Sequence, residues 1–140
     1  MEPLRILLVD DSVEMRRGLR TMLKRHEGFE VCGEASNGLE GIDQALKLKP
    51  EIVIMDISMP KLNGLEASRR IREVLPQTEV LILSLHDMPQ AALGSGARAF
   101  VLKSNIERDL WRGIEALQQR TIFFSSGSGG GEGNPSQATE

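Results

Sequence analysis

The chain has 140 residues, 40% of them hydrophobic, which is enough for one buried core and predicts a single domain with a tail. Its formal net charge of −3 excludes a segment dedicated to binding nucleic acid, since no basic excess is present. The single Cys32 excludes an internal disulfide, and no apolar run is long enough for a signal peptide or membrane span, which predicts a cytoplasmic protein without a membrane partner.

In its first half the chain alternates two short apolar runs with two segments of helical periodicity. The runs are residues 6–9 and 31–32; the helical stripes are Met15, Leu19, Met22 and Leu23, then Leu39, Ile42 and Leu46. The first run lacks polar alternation, as strands covered on both faces do. The second is mixed with Gly33 and Glu34, so we place it at the edge of a sheet.

The second half continues the alternation with three more uninterrupted apolar runs. They are residues 52–55, 80–83 and 99–102, and the helical stripes are Leu65, Ile71 and Leu75, then Ile106, Leu110, Ile114 and Leu117. Between the last two runs, residues 88–93 offer barely two helical turns. The alternation favours right-handed crossovers and predicts an α/β fold: a doubly wound, flavodoxin-like sheet of five parallel strands in the order 2-1-3-4-5.

The C-terminal end of the chain differs in composition from the rest. From Ser125 onward it is rich in glycine and serine, and Ala138 is its only apolar residue. Such a sequence cannot bury a core of its own. We therefore expect an ordered domain over residues 1–120 and a flexible linker or tail over residues 121–140.

Polar side chains follow four of the predicted strands. Asp10 and Asp11 end the first, Asp56 ends the third, Ser84 ends the fourth and Lys103 ends the fifth. Ligands of such sheets bind at the carboxyl ends of the strands, where the strand order reverses, here between strands one and three. Three crowded carboxylates repel one another unless a cation lies among them, and Mg²⁺ prefers a few carboxylate oxygens together with phosphate oxygens.

This set of groups suits an aspartyl-phosphate site. A carboxylate can act as the nucleophile, and phosphoryl transfer needs mainly alignment and neutralisation of charge. Mg²⁺, the Lys103 ammonium and the Ser84 hydroxyl would each meet one phosphoryl oxygen of a group on Asp56. Taken singly, the Asp10-Asp11 pair is equally well explained as a turn or helix cap, and a lone Asp, Ser or Lys at a strand end is more often solvated than catalytic. Their conjunction on one rim of one sheet favours the site.

The motifs resemble the receiver domains of two-component response regulators, over about residues 4–117. The resemblance rests on residues 8–12, 55–60, 63–64, 83–84 and 96–103. Residues 59–66 and 96–98 are most similar to the nitrate-regulator subgroup of LuxR type. Members of that subgroup usually carry a C-terminal helix-turn-helix domain that binds DNA, so transcription regulation through a domain outside this chain is implied.

The resemblance implies a role for each matched residue. Asp56 is the expected phospho-acceptor from a sensor histidine kinase, Asp10 and Asp11 are the acidic pair, and the Ser58 carbonyl completes the Mg²⁺ site. Ser84 and Phe100 occupy switch positions, through which phosphorylation would remodel the face of helix four, strand five and helix five. A homodimer is compatible with this family, and such a domain catalyses only its own phosphorylation and dephosphorylation.

Two departures from the family pattern concern the output side. Ser84 and Lys103 are 19 positions apart, about three residues fewer than in the family, which predicts a helix four shortened by close to one turn. Phe100 lacks the hydroxyl of a switch tyrosine. Two alternatives stay open: a stand-alone receiver acting as an interaction module, and a phosphatase with an aspartate nucleophile, which Ser58 and the short chain disfavour.

Overall fold

The computed structural model describes residues 2–125. Its elements in chain order are β1 (Leu4–Val9), α1 (Val13–Lys24), β2 (Phe29–Ala35), α2 (Gly38–Leu48), β3 (Ile52–Asp56), α3 (Gly64–Val74), β4 (Glu79–Ser84), α4 (Pro89–Gly94), β5 (Ala99–Leu102), a 3₁₀ turn (Lys103–Asn105), α5 (Ile106–Gln118) and β6 (Phe123–Phe124). None of the helices in this part of the chain has the length and apolar character to cross a membrane.

All strands pair in parallel, in the order β2-β1-β3-β4-β5-β6. The predicted order of the first five strands is therefore confirmed, and β2 lies at the edge as expected. The register from Ile6 to Leu7 shifts from Val31 to Gly33, which leaves Cys32 as an extra residue on β2. A bulge of this kind interrupts the ladder and makes an exposed edge less able to pair with another chain.

The sheet divides the core into two layers, because alternate side chains of the central strands point to opposite faces. Leu7 and Val9 pack with α2, α3 and α4 on one face, whereas Ile6 and Leu8 pack with α1 and α5 on the other. Both faces of β1 are therefore buried, which explains why its sequence shows no polar alternation. The same holds for β3, whose five residues are all buried.

The apolar stripe predicted for α2 is wrong in two of its three positions. Leu39 and Leu46 are 47% and 46% exposed, and the buried residues of the helix are Gly38, Gly41 and Ala45. A Cβ at Gly41 would lie 3.0 Å from Val9 Cγ1. Small residues thus face the sheet because the helix backbone approaches β1 closely, and the larger leucines are left outside.

The fourth helix is short, as predicted. It has six residues, and its first residue is not capped by a side chain. Its C-terminal end is anchored by Ser95, which is buried and whose hydroxyl donates to the Ala92 carbonyl at 2.7 Å. Ser68 on α3 donates to the Ser95 carbonyl at 3.0 Å. Polar side-chain contacts therefore fix the C-terminal end of this helix, whereas its N-terminal end has no side-chain cap.

The sheet has a sixth strand that the sequence did not predict. The N–H of Phe123 donates to the Arg98 carbonyl at 3.0 Å, and the N–H of Ser125 donates to the Phe100 carbonyl at 2.6 Å. These bonds attach the chain after α5 to the outer edge of β5. The predicted boundary after residue 120 is therefore too early, and the remainder of the predicted tail, residues 126–140, lies outside the described residues.

Ser125 is held by a buried carboxylate on α5. Asp109 is fully buried, and its oxygens accept hydrogen bonds from the Ser125 hydroxyl and from the Arg108 guanidinium, at 2.9 and 3.1 Å for the latter. Burial by itself raises the pKa of Asp109, but these hydrogen bonds outweigh burial and hold the pKa below its ordinary value. The carboxylate thus ties the end of β6 to α5.

We expect Ser125→Ala to lower the free energy of unfolding by about 2 kcal/mol, because it removes a hydrogen bond to a buried charged group. Folding lowers the pKa of Asp109, so the contribution of its charge is complete above the ordinary pKa of about 3.9 and is lost as pH falls through the native value. Urea unfolding at pH 7 and at pH 3 measures both effects. Thr121→Ala, which removes an exposed hydroxyl bond to the Ala116 carbonyl, is the control, with an expected change within about 0.5 kcal/mol. Equal losses in the two variants would contradict the assignment.

We also expect amides of residues 88–95 to exchange with deuterium faster than those of residues 105–117. A helix of six residues has few internal hydrogen bonds, whereas α5 has 13 residues and a buried apolar face. Gly94→Ala should slow exchange in α4, since the added methyl group meets no atom within 4 Å and alanine favours helix by up to about 1 kcal/mol. Equal, strong protection of both segments would show that the short helix is rigid.

Candidate functional site

Three aspartates meet at the carboxyl ends of β1 and β3. Carboxylate oxygens of Asp10, Asp11 and Asp56 all lie within 4.8 Å of one another. The two strands are neighbours in register, with Val9 opposite Met55, so the residues that follow them are brought together. Asp10 and Asp56 are only 1% and 4% exposed, whereas Asp11 is exposed to solvent. The predicted convergence of the acidic residues is therefore present in the fold.

Lys103 reaches this cluster from the other side of β4. Its Nζ lies 3.1 Å from Asp56 Oδ1 and 3.4 Å from Asp10 Oδ2. The side chain is 17% exposed and follows β5, in the 3₁₀ turn that leads into α5. One ammonium group thus pairs with two buried carboxylates, while the third carboxylate remains open to solvent.

The surroundings shift the pKa of both partners of the ion pair. Burial, and after it the negative charge of Asp10, raises the pKa of Asp56, against the opposing hydrogen bond and charge of Lys103. Burial lowers the pKa of Lys103, but the hydrogen bond to Asp56 and the charges of both aspartates outweigh it, so the pKa is raised. Lys103 therefore stays charged at neutral pH. Any further cation that binds beside Asp56 would favour the ionised form of its carboxyl group.

The loop between β3 and α3 is held against the Asp56 backbone by Gly64. The Gly64 N–H donates to the Ile57 carbonyl at 2.9 Å. A Cβ at position 64 would lie 1.9 Å from the Asp56 carbonyl oxygen, so only glycine permits this approach. Asn63 begins α3 by accepting the Glu66 N–H on its side chain. This packing fixes the course of the loop that contains the exposed Ser58.

Ser84 and Phe100, which the resemblance places at switch positions, form no hydrogen bond or ion pair with the carboxylates of the cluster within residues 2–125. The Ser84 hydroxyl donates to the His86 carbonyl at 2.7 Å and accepts the His86 N–H at 3.0 Å. Phe100 is fully buried and packs edge-on against Phe124, with ring centroids 6.3 Å apart. His86 and Asp87 are both exposed to solvent.

Two further residues support Asp10. Ser12, the N-cap of α1, accepts the Met15 N–H at 3.1 Å and donates its own N–H to Asp10 Oδ1 at 2.9 Å. Arg16 donates to the Asp10 carbonyl at 2.5 Å. The sequence shows that Arg16 follows Asp10 by six residues. An arginine on the polar side of an amphipathic helix does not by itself indicate such a contact, so the sequence did not predict it.

The donor set fits a hard divalent cation. It offers carboxylate oxygens, with one carboxylate open to solvent, and no cysteine or histidine among the clustered residues 10, 11 and 56. Mg²⁺ favours such oxygen ligands and keeps several waters, whereas zinc sites use cysteine or histidine. One ammonium against three carboxylates also leaves an excess of negative charge, which a divalent ion would offset.

The sheet and this acidic site define a doubly wound α/β protein with its polar centre at the strand-order reversal. Residues 6–115 match the family model described as the response regulator receiver domain. The chain therefore belongs to the receiver domain family of two-component response regulators, a family that binds Mg²⁺ at an acidic pocket.

Relatives of known name support this assignment. The chain is 39% identical over 137 residues to a protein-glutamate methylesterase/protein-glutamine glutaminase of Alkalilimnicola ehrlichii, covering 94% of this chain and 34% of that protein. It is 35% identical over 121 residues to the nitrate/nitrite response regulator NarL of Escherichia coli, covering 84% of this chain and 55% of that protein. The chain thus spans between a third and a little over half of these relatives.

A solved structure matches the whole fold. It is a two-component response regulator of the LuxR family from Aurantimonas sp. SI85-9A1, with a TM-score of 0.85 and 30% identity. The match covers 99% of this chain and 100% of that chain. Together with the nitrate-regulator relative, it confirms the predicted similarity to the nitrate-regulator and LuxR-type subgroup.

We expect Mg²⁺ to raise the free energy of unfolding, by about 1.4 kcal/mol at ten times its dissociation constant, because it binds only the folded cluster. Asp11→Asn should abolish most of this gain, since it removes the exposed carboxylate of the cluster. Asp43→Asn, which changes an exposed carboxylate on α2, should keep the full gain. Thermal unfolding in MgCl₂, against NaCl of equal ionic strength, measures it. A full Mg²⁺ response in Asp11→Asn would show that Asp11 is not a ligand.

Proposed function

We propose that this chain is a phosphorylation-dependent switch acting in the cytoplasm, in which Asp56 accepts a phosphoryl group from a sensor histidine kinase. One observation carries the proposal: Asp56 is buried at the strand-order reversal, 3.1 Å from the Lys103 ammonium and within the acidic cluster. A buried carboxylate with a raised pKa is a poor structural element, and its position beside a cation suits a nucleophile.

Each residue of the cluster has a task in this transfer. Asp56 attacks the phosphorus atom as a carboxylate, and the phosphohistidine nitrogen leaves with the electron pair of the broken bond. Lys103 keeps Asp56 ionised and then neutralises a phosphoryl oxygen, which lowers the energy of the transition state. Mg²⁺, held by Asp11, Asp56 and the Ser58 carbonyl with Asp10 nearby, would supply further positive charge when bound.

Signal transmission requires Ser84 to change its partner. In this structure its hydroxyl donates to the His86 carbonyl. A phosphoryl group on Asp56 offers a charged acceptor, and charge-assisted hydrogen bonds are about twice as strong as neutral ones. The phosphorylated state therefore favours a Ser84 hydroxyl directed to the phosphoryl oxygens. The loop from Ser84 to α4 would follow, which shifts the population toward a second arrangement of the output face.

The output that we propose is transcription regulation through a DNA-binding domain outside residues 1–140. The LuxR-family match over the whole chain and the nitrate-regulator relative support this proposal. The acidic net charge supports a division of labour, in which this segment contacts the histidine kinase and a second copy of the chain, while DNA is bound elsewhere.

Three other functions compete with this one. A methylesterase relative contains a region similar to this chain, so a receiver of this type can also be part of an enzyme. A stand-alone receiver acting as an interaction module would have the same site. A phosphatase with an Asp nucleophile usually needs a second catalytic acid close behind it, and this chain has the exposed Ser58 there.

We expect acetyl phosphate with Mg²⁺ to add one phosphoryl group to the wild-type chain, because the cluster itself aligns and neutralises the donor. Asp56→Asn should abolish the adduct. Lys103→Ala should slow its formation by about a hundredfold, as expected for loss of one preorganised charge at the transition state. Intact-mass spectrometry and Phos-tag electrophoresis measure the adduct.

The control is Lys61→Ala, which removes an exposed lysine in the loop between β3 and α3 and should leave the rate within about twofold. Hydroxylamine should release the adduct, since an acyl phosphate is cleaved by this nucleophile. A hydroxylamine-resistant adduct, or one that persists in Asp56→Asn, would refute the assignment of the phospho-acceptor.

A further inference from the structure

Arg16 links three parts of the fold beside the acidic cluster. It lies on α1, and its side chain is only 14% exposed. Its Nη1 donates to the Asp10 carbonyl at 2.5 Å, and its Nε donates to Glu34 Oε1, near the end of β2, at 2.8 Å. The guanidinium therefore bridges the loop after β1 to the edge strand of the sheet.

The bond to the Asp10 carbonyl constrains the direction of Asp11. The peptide unit between the two residues is planar, so fixing its carbonyl oxygen fixes the rotation of the whole unit. Asp10 itself is already held, because its N–H donates to the Ala35 carbonyl at 3.0 Å and its Oδ1 accepts the Ser12 N–H. Within residues 2–125 no hydrogen bond holds the Asp11 carboxylate. The direction of Asp11 therefore depends on the peptide that Arg16 holds.

We propose that Arg16 is a positioning residue for the cation site: it orients the peptide between Asp10 and Asp11 so that the Asp11 carboxylate faces Asp56. The proposal rests on the proposed function, in which this carboxylate is a ligand of Mg²⁺. Arg16 contacts no cation itself and acts through Asp10. Partners of this kind are worth about tenfold to a hundredfold in metal affinity.

The chain contains a matched control one helical turn further along α1. Arg20 pairs with the other oxygen of Glu34, and within residues 2–125 it has no hydrogen bond or ion pair with Asp10; its side chain is 43% exposed. Arg16→Gln and Arg20→Gln therefore each remove one arginine from Glu34. Only Arg16→Gln also removes the bond to Asp10. Arg16→Lys keeps the positive charge but loses the planar group that donates in two fixed directions.

The experiment measures Mg²⁺ affinity in the unphosphorylated chain. MgCl₂ is titrated into ¹⁵N-labelled protein, and the amide shifts of Asp11 and Asp56 give the dissociation constant. Arg16→Gln should raise it about tenfold, Arg20→Gln should leave it within about twofold, and Arg16→Lys should lie between. The rate of phosphorylation by acetyl phosphate should follow the same order at low Mg²⁺, and the difference should shrink at saturating Mg²⁺.

Two results would overturn the proposal. Equal Mg²⁺ affinities in Arg16→Gln and Arg20→Gln would leave Arg16 with a purely structural role, even if Arg16→Gln lowered the melting temperature of the protein. A wild-type affinity in Arg16→Lys would show that charge, not direction, matters. If Arg16→Gln does not fold, a loss of Mg²⁺ affinity in Arg16→Lys supports the proposal, and an unchanged affinity opposes it.

Failure of the wild type to be phosphorylated at Asp56 would refute the proposed function, and the Mg²⁺ titration would still decide the role of Arg16.

Discussion

The burial of negative charge at the ends of two adjacent parallel strands is the constraint on which the rest of this structure depends. Asp10 directly follows β1 and Asp56 is the last residue of β3. Both strands are covered by helices, so water reaches these carboxylates poorly. Such an arrangement is unfavourable unless cations and donors surround it. Lys103 and the Ser12 N–H meet part of that need, and each is positioned by a different element of the fold. A divalent ion, of the kind that the family binds, would supply the remaining positive charge. The same unfavourable charge makes the site responsive, because any change in local charge alters which arrangement is stable.

The output side of the domain is connected to the site through β5. Phe100 lies on this strand, its ring packs against Phe124, and its carbonyl accepts the Ser125 N–H. Residue 125, beyond α5, is thus attached to the backbone of Phe100, the residue that we propose as a switch. Asp109 strengthens this attachment by holding the Ser125 hydroxyl inside the protein. A movement of Phe100 therefore bears directly on the segment through which any following domain would be joined.

Most of the fold and site follows from the sequence, because parallel strands buried on both faces leave uninterrupted apolar runs, and the topology then places residues 10, 56 and 103 on one rim. Other features had no comparable signal. The glycines of α2 face the sheet, because close backbone contact, not apolar area, decides how this helix packs. The apolar periodicity that includes Leu39 therefore predicted the wrong buried face. The strand β6 is two residues long and precedes a glycine-rich stretch, so the composition of this region did not indicate a strand.

The shortened α4 separates what this domain has in common with its family from what is its own. Among residues 2–125, the carboxylates of Asp10 and Asp56 take their hydrogen bonds and ion pairs from Ser12, the N-cap of α1, and from Lys103, and none from α4. Leu93 on this short helix is 39% exposed. The hydrogen bonds and ion pairs that hold the acidic carboxylates therefore do not depend on the length of α4.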